Sequence, residues 1–256
     1  MAWETLPSAD WSIRSNTDHK RMATVTNGHS QDSHHGLPSH GSLVRKEVKV
    51  NVTLPDLTLK VHAIEVVNGA AIDGGVGDGL SVLFLHSGRF TSQNWVDIGT
   101  LDRVAASGFR AVAVDLPGKG QTSGPIDRSL NAQFLTALVE AMDLRRLVIV
   151  SPSSSGRYTL PFLFKDAPTS TARAVGFVPI APGGTKDFRE KYPDSKLQTL
   201  IVYGTDDPEG QTTLDDLKLL PNSQVLPIEG AGHPCYMEQP DIFHTALLEF
   251  LRKLAA

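Results

Sequence analysis

The sequence predicts an α/β fold with an open, mostly parallel sheet of about eight strands and helices on both faces. Short apolar runs alternate with helical patterns from residue 47 to the C-terminus, as in parallel strands joined by crossover helices. Most of these runs are apolar throughout, as expected of strands that are buried on both faces. The chain has 256 residues, 40% of them hydrophobic, which suffices for one such domain with a full core.

The elements follow in chain order. Glu47–Leu54 and Leu57–Val67 alternate between apolar and polar residues, which predicts an antiparallel pair at one edge of the sheet. A glycine-rich loop over 69–79 follows this pair. Pro227 cannot donate a hydrogen bond, so Val225–Ile228 is predicted to be the last strand and to lie at the other edge. The buried strands are predicted at Ser81–Leu85, Arg110–Val114, Leu147–Val150, Ala174–Ile180 and Thr199–Tyr203, and the helices at Trp95–Ala106, Leu130–Met142, Tyr158–Phe164 and Ile242–Leu254.

Residues 1–44 have a different composition from the rest. They hold five of the nine His residues and show little apolar periodicity, so a disordered polar arm is predicted, followed by a folded domain over 45–256. Four of these histidines have no Cys or acidic partners at ligand spacing, and no metal site is predicted. They are His29, His34, His35 and His40.

The overall composition excludes several classes of protein. A net charge of −4 argues against nucleic acid or an anionic membrane as a partner. No apolar run approaches the roughly 18 residues of a membrane span, and charged residues interrupt any apolar core of a secretory signal. Cys235 is the only cysteine, which excludes an intramolecular disulfide and favours a reducing compartment. We therefore expect a monomer located in the cytoplasm and also in the nucleus.

The most informative run is Leu147–Gly156, in which four apolar residues lead through small residues into a helical segment. This pattern predicts a strand, a tight turn and a helix. The motif G-x-S-x-G has the same architecture, with small residues on both flanks and a strained, exposed serine at the tip. Ser151 and Ser155 occupy the flanking positions here, which makes Ser153 the predicted nucleophile.

Two alternatives accompany this prediction. If Ser154 were the nucleophile, Pro152 would take a flanking position, where its ring and fixed φ fit poorly. A polar strand-to-helix loop without chemistry is the other interpretation, and the run alone does not decide against it.

Two later turns favour a catalytic role for Ser153 over a polar loop. Leu200–Pro208 is a strand that ends in the acidic pair Asp206 and Asp207, and Gly230–Pro234 is a glycine-rich loop that carries His233. The order serine, acid, histidine is that of the α/β hydrolases, and parallel strands bring such turns to one edge of the sheet. His233 is the predicted base and Asp207 the predicted acid, with Asp206 as a competitor whose other role would be to cap the next helix.

The same class needs two backbone donors for the oxyanion and a pocket for the acyl group. We expect the donors to be the N–H groups of Ser154 and Gly88. In the adjacent His86–Phe90 loop, His86 is predicted to be structural, and Asp115 is interpreted as a structural carboxylate because it precedes Ser153. The predicted substrate-binding residues are Arg89, Phe90, Tyr158 and Tyr236. The segment between Ile180 and Leu197 is too short and too polar for a helical cap.

Several segments carry a more specific resemblance. They are His86–Trp95, Ala113–Gly118, Val150–Gly156 with Tyr158–Leu163, Ile201–Gly204 with Asp207–Pro208, and Gly230–Tyr236. These segments closely resemble the alpha/beta-hydrolase-domain-containing protein 14 family, from residue 80 to the C-terminus. By that match the family's nucleophile, acid and base fall on Ser153, Asp207 and His233. The chain departs from the family at Ser87, where glycine is usual, and in its N-terminal arm.

The resemblance implies a small cytosolic or nuclear serine hydrolase of the anchor-free branch, active on short acyl esters from acetyl to butyryl. It also implies, for one branch, a lysine deacetylase that passes the acetyl group to coenzyme A. The expected substrates are therefore a small acyl ester or an acetylated lysine, with no cofactor except coenzyme A as an acyl acceptor. The alternative hypothesis is a hydrolase-fold binding or scaffold protein with little turnover, because fold alone does not fix function.

Overall fold

The computed structural model describes residues 42–69, 79–165 and 170–256. The predicted N-terminal arm up to residue 41, the histidines at 29–40 and most of the glycine-rich loop lie outside the described residues. Within the described part of the chain, no helix is long and apolar enough to cross a membrane.

The predicted sheet is confirmed: eight strands form one sheet in the order β1-β2-β4-β3-β5-β6-β7-β8. β1 and β2 are antiparallel to their neighbours, and the pairs from β4 through β8 are parallel. The strands are β1 (Leu43–Leu54), β2 (Leu57–Asn68), β3 (Ser81–Phe84), β4 (Arg110–Val114), β5 (Val148–Pro152), β6 (Gly176–Ile180), β7 (Gln198–Gly204) and β8 (Ser223–Ile228).

The first strand is longer than predicted. It begins at Leu43 rather than at Glu47, because the pairing with β2 continues to Leu43 opposite Asn68. The side chains that precede Glu47 alternate less clearly in hydropathy, so the hydrophobic pattern marks only the part of the strand from Glu47 onwards. β1 and β8 are the two edge strands, as predicted.

Helices cover both faces of the sheet, also as predicted. They are α1 (Gln93–Asp97), α2 (Thr100–Ala106), α3 (Asn131–Ala141), α4 (Gly156–Phe164), α5 (Ser170–Arg173), α6 (Pro208–Leu217), α7 (Cys235–Glu238) and α8 (Pro240–Ala255). The helix predicted over Trp95–Ala106 is two helices, because Gly99 between them has φ +73° and interrupts the regular backbone.

Each face has its own hydrophobic core, and β5 shows how the sequence builds both. Ile149 packs into the core beneath α3, α4 and α6, while Val148 and Val150 pack into the core beneath α1, α2 and α8. Successive side chains of a strand point to opposite faces, so a run that is apolar throughout supplies both cores. The carboxyl ends of these strands lie at one edge, where open α/β sheets place their sites.

Candidate active site

Ser153 lies at the turn between β5 and α4. Its φ is +50°, in the left-handed region that non-glycine residues rarely adopt, at a typical cost of about 1–3 kcal/mol. Pro152 ends the strand in an extended conformation, and a 3-10 turn over Ser153–Ser155 leads into the helix. The strain that the motif predicts at Ser153 is therefore present.

The two serines at the usual glycine positions contact each other below this turn. Ser151 Oγ lies 2.9 Å from Ser155 Oγ and 2.7 Å from Thr159 Oγ1, and Ser155 Oγ donates to the Pro152 carbonyl at 2.7 Å. All three hydroxyls are fully buried. Each hydroxyl has one proton, and the three shorter contacts are all satisfied when Thr159 donates to Ser151, Ser151 to Ser155 and Ser155 to the backbone. Thr159 Oγ1 also lies 3.3 Å from the Ser155 carbonyl oxygen. The chain of hydroxyls joins β5 to α4 behind Ser153.

A second contact, from the loop after β6, holds the turn at Ser153. The Gly183 N–H, in the loop after β6, donates to the Ser153 carbonyl at 2.9 Å. Ala181, two residues earlier, has φ +41°, so the chain leaves β6 through a strained residue and turns towards Ser153. Sequence reasoning missed this contact, although the pair Gly183-Gly184 directly after a buried strand signals a close approach of two backbones.

Asp207 combines two roles. Its Oδ1 accepts from the Glu209 N–H at 3.0 Å and caps α6, while its Oδ2 lies 2.7 Å from His233 Nδ1. The expectation that Asp206 could cap this helix is wrong. The side chain of Asp206 is exposed and, among the described residues, accepts a hydrogen bond from Thr205 Oγ1 alone, and its N–H donates to the Ala231 carbonyl.

The loop that carries His233 packs closely on the end of β7. A Cβ at Gly204 would overlap the Ala231 and Gly232 carbonyl oxygens, so only glycine allows this approach. Glu238, from α7, accepts from the Gly232 N–H at 2.7 Å. These contacts fix the backbone on the N-terminal side of His233.

The three predicted residues come together in one chain of hydrogen bonds. His233 Nε2 lies 2.8 Å from Ser153 Oγ, and His233 Nδ1 lies 2.7 Å from Asp207 Oδ2. The Asp207 side chain is 5% exposed, whereas that of His233 is 36% exposed. Because an ionised carboxylate only accepts hydrogen bonds, it keeps the proton on Nδ1 and leaves Nε2 free to accept from the serine.

The two predicted oxyanion donors lie next to each other. A Cβ on Gly88 would lie 3.2 Å from Ser154 Oγ, so the two segments are in contact. Among the described residues, neither the Gly88 N–H nor the Ser154 N–H has a hydrogen-bond acceptor. Ser87 shapes the Gly88 loop through its carbonyl oxygen, which accepts from the Phe90 N–H at 3.1 Å.

His86 anchors this loop, as predicted for a structural histidine. Its Nε2 accepts from the Leu116 N–H at 2.9 Å, which leaves the proton on Nδ1 for the Ser87 carbonyl at 2.8 Å. Burial lowers the pKa of His86 below the usual value for histidine, which keeps the ring neutral and preserves both bonds.

Asp115 is also structural, as interpreted from its position in the sequence. It accepts from the N–H groups of Ser92 and Gln121 at 2.8 Å and lies 3.0 Å from His62 Nδ1. Burial works against the charged carboxylate, but the hydrogen bonds from Gln121 and Ser92 outweigh it and hold the pKa of Asp115 below its usual value. Asp115 thereby ties the loop after β4 to the loop that contains Gly88.

The predicted substrate-binding residues differ in environment. Arg89 is exposed, Phe90 and Tyr158 are partly buried, and Tyr158 packs edge-on against Phe134. Tyr236 is 1% exposed and stacks on Trp95 with ring centroids 4.7 Å apart. Tyr236 is thus a core residue, and a role at an open pocket wall receives no support from its packing.

Cys235, two residues after His233, is fully buried. Burial raises the pKa of the Cys235 thiol to about 12, so little thiolate forms near neutral pH. No group of three or more metal-binding side chains occurs among the residues that the structure describes.

The fold and the strained serine next to a histidine define the class: this is an α/β hydrolase. No family model matches the chain. It superposes on a protein of Thermoplasma acidophilum described as a predicted CIB-like hydrolase, with a TM-score of 0.72 at 21% identity, covering 83% of this chain and 100% of that one. A thermophilic esterase of Thermogutta terrifontis gives a TM-score of 0.65 at 18% identity, covering 82% and 100%.

Curated relatives specify the family. Rat ABHD14B, which carries the provisional name of a protein-lysine deacylase, is 46% identical over 80% of this chain and 99% of its own length. Human ABHD14B is 45% identical over 77% and 95%, and zebrafish ABHD14A is 43% identical over 68% and 65%. The chain belongs to the ABHD14 family.

Proposed function

We propose that this protein is a serine hydrolase and acyltransferase that acts on short acyl groups through an acyl-enzyme. The observation that carries the proposal is the chain of hydrogen bonds from Ser153 through His233 to Asp207, with the serine held in a strained turn. A serine hydroxyl is a poor nucleophile until a base takes its proton, and His233 Nε2 is within reach to do so.

In the first half-reaction Ser153 Oγ attacks the acyl carbonyl carbon while His233 Nε2 takes the hydroxyl proton. Asp207 stabilises the imidazolium that forms and holds the ring in place. The N–H groups of Gly88 and Ser154 are the proposed donors to the negative oxygen of the tetrahedral intermediate. When the intermediate collapses, the bond to the leaving group breaks and His233 gives the proton to that group.

In the second half-reaction the acyl group leaves Ser153. His233 takes a proton from water or from a thiol, whose oxygen or sulfur attacks the acyl-enzyme carbonyl. Collapse of this second intermediate returns the proton to Ser153 Oγ. The products are a carboxylic acid when water attacks and a thioester when a thiol such as that of coenzyme A attacks.

The proposed substrate class rests on the names of relatives and on the size of the side chains in the predicted acyl pocket. The name of the rat and human relatives supports acylated lysine as a substrate. Phe90 and Tyr158 are bulky residues in the predicted acyl pocket, which favours acetyl to butyryl groups over longer chains. We propose that coenzyme A serves as an acyl acceptor and that no other cofactor takes part.

A fluorophosphonate probe tests the proposal, because it labels only a serine activated by its neighbours. We expect covalent labelling at Ser153 and none in Ser153→Ala. Ser154→Ala is the matched control and should label normally, since the proposed role of Ser154 uses only its backbone N–H, which alanine keeps. Absence of labelling in the wild-type protein would instead support a binding or scaffold protein.

Turnover of phenyl acetate gives the quantitative test. Ser153→Ala and His233→Ala should each lose on the order of 10⁴-fold or more in kcat, and by similar factors, because the residues act as a unit. Equal loss in Ser154→Ala with a mild effect of Ser153→Ala would move the nucleophile by one residue. An acetylated lysine peptide assayed with and without coenzyme A then separates hydrolysis from acyl transfer.

A further inference from the structure

A cleft of about 400 Å³ adjoins the turn that carries Ser153. Its walls are the first turn of α4, the loop after β6 and the turn before α3, and they include Gly156 and Gly183. Gly183 is the residue whose N–H contacts the Ser153 carbonyl. The volume is in the range of small-molecule sites, and none of the residues assigned above to the reaction or to the acyl pocket lines it.

Two arginines line this cleft. They are Arg128 and Arg157, and among the described residues neither guanidinium contacts a carboxylate or a carbonyl. Asp127 is adjacent to Arg128 in sequence, but its Oδ1 is engaged elsewhere. It accepts from the Ser129 N–H at 2.8 Å and from the Ser129 hydroxyl at 2.6 Å. Both positive charges are therefore available to a ligand.

A buried side chain fixes the two arginine-bearing segments relative to each other. Asn131 is 4% exposed, follows the 3-10 turn Arg128–Leu130 directly, and donates its Nδ2 hydrogen to the Arg157 carbonyl at 3.1 Å. The backbones at Arg128 and Arg157 are thus held in place before any ligand binds. Such preorganisation lowers the entropic cost of binding.

One opposite charge also lines the cleft. Asp187, in the 3-10 helix after β6, has no ion pair among the described residues and contributes a carboxylate to the wall. Two arginines against one aspartate leave the lining with a net charge of +1. Asp187 should therefore weaken the binding of anions. Removal of its charge should strengthen anion binding, whereas removal of either arginine should weaken it.

We propose that this cleft binds the phosphate group of an acyl donor or acceptor whose reactive end reaches Ser153. The planar guanidinium group donates two parallel hydrogen bonds to phosphate oxygens, and two such groups match a doubly charged anion. The reaction of this ligand at Ser153 rests on the proposed function. Binding of its phosphate group to the cleft does not depend on catalysis. Free phosphate and a phosphorylated substrate share this chemistry, so two measurements are needed to separate them.

The first measurement is calorimetric titration of the full chain with inorganic pyrophosphate at constant ionic strength. Arg128→Gln and Arg157→Gln should each weaken binding on the order of tenfold, the usual scale for a hydrogen bond to a charged group. Asp187→Asn should tighten it. Arg252→Gln, an exposed arginine in α8, is the matched control and should bind as the wild type does. Absence of binding, or equal loss in the control, would overturn the proposal.

The second measurement compares 4-acetoxyphenyl phosphate with phenyl acetate, which differs from it only by lacking the phosphate. The wild type should prefer the phosphorylated ester in kcat/KM by about tenfold, and Arg157→Gln should remove the preference without changing turnover of phenyl acetate. Equal turnover of both esters, or a parallel loss of both in Arg157→Gln, would contradict the proposal. If neither ester reacts while pyrophosphate binds, the proposed function fails and the cleft is a site for free phosphate only.

Discussion

Asp207 shows how one residue can serve both the stability and the chemistry of this protein. One carboxylate oxygen caps α6 and the other contacts His233. The two roles can be separated because asparagine is as good an N-cap as aspartate, whereas an amide cannot replace the negative charge beside the imidazole. Substitution with asparagine therefore removes only the second role.

We predict that Asp207→Asn lowers kcat by about 10⁴-fold, the scale of the equivalent change in serine proteases. Thermal unfolding should show that the variant remains folded. Asp206→Asn is the matched control and should retain turnover within a few fold, because the exposed Asp206 side chain hydrogen-bonds to Thr205 and to no other residue in the described part of the chain. A larger loss in Asp206→Asn than in Asp207→Asn would reverse the assignment of the acid.

Buried, hydrogen-bonded hydroxyls of β5 and α4 stand where the turn motif usually has glycines. Replacing Thr159 by valine would remove the hydrogen bond to Ser151 Oγ and leave that buried hydroxyl without a donor. We predict that Thr159→Val lowers the free energy of unfolding by about 1–3 kcal/mol. Thr159→Ser, which keeps the hydroxyl, should lose clearly less. Urea unfolding of both variants checks this, and equal losses would contradict it.

At the scale of elements, most strands and helices could be predicted from periodicity, since strands buried on both faces and amphipathic helices have distinct patterns. The contacts that depend on packing could not. Pro208 favours the first helical position and so indicates Asp207 as the cap of α6, but the contact of the same carboxylate with His233 depends on a loop 26 residues further along the chain. Likewise, Ser151 and Ser155 were recognised as small residues, but their pairing with Thr159 requires the helix to be in place.

The packing of α8 on α2 makes the stability of the protein sensitive to pH. His244 of α8 lies 2.8 Å from Thr100 Oγ1, at the start of α2, and is 3% exposed. Burial, helped by the charge of Arg103 and opposed by Asp241, lowers the pKa of His244 to about 4. In the unfolded chain the histidine has an ordinary pKa of about 6.5 and takes up a proton more readily than in the folded protein. The stability that the neutral His244 contributes is therefore fully present above pH 6.5 and is lost as the pH falls towards 4.

We predict that lowering the pH from 7.5 to 5 costs about 2 kcal/mol of folding free energy through His244 alone. His244→Gln keeps a hydrogen-bonding group near Thr100 but cannot take up a proton. The variant should therefore lose less stability than the wild type over the same pH interval, as measured by urea unfolding at both pH values. An identical pH dependence of the two proteins would show that His244 titrates normally in the folded state.

At the scale of the whole molecule, the sheet brings three distant turns to one edge. Ser153 follows β5, Asp207 follows β7 and His233 follows β8, and the strand order places β5, β6, β7 and β8 side by side. Two facts were enough to predict from the sequence that these residues lie together. One is the order of the motifs along the chain, and the other is that open α/β sheets bind ligands at the carboxyl ends of their strands. The arginine-lined cleft could not be predicted in this way, because Arg128 and Arg157 are 29 residues apart in the chain and come together only when α3 packs against α4.

The same arrangement determines how open the site is. Between β6 and β7 the chain forms a single 3-10 helix, Thr185–Lys191, rather than the several amphipathic helices of a cap. This segment is fastened to α6, since the Thr185 hydroxyl donates to Asp216 and Arg189 pairs with the same carboxylate. Tyr192, fully buried, adds a hydrogen bond to the Thr185 carbonyl. Nothing in this segment resembles a lid that could swing open at a lipid surface.

We therefore predict that acetyl to butyryl esters are turned over faster than esters of twelve or more carbons, and that lipid interfaces give no activation. A lid that exposes an apolar underside is the usual reason for a rise in rate at an interface, and the short polar segment here has no such underside. Initial rates on 4-nitrophenyl esters of increasing chain length, measured below and above the critical micelle concentration, provide the test. A maximum at long chains, or an abrupt rise in rate when micelles form, would mean that another part of the chain covers Ser153.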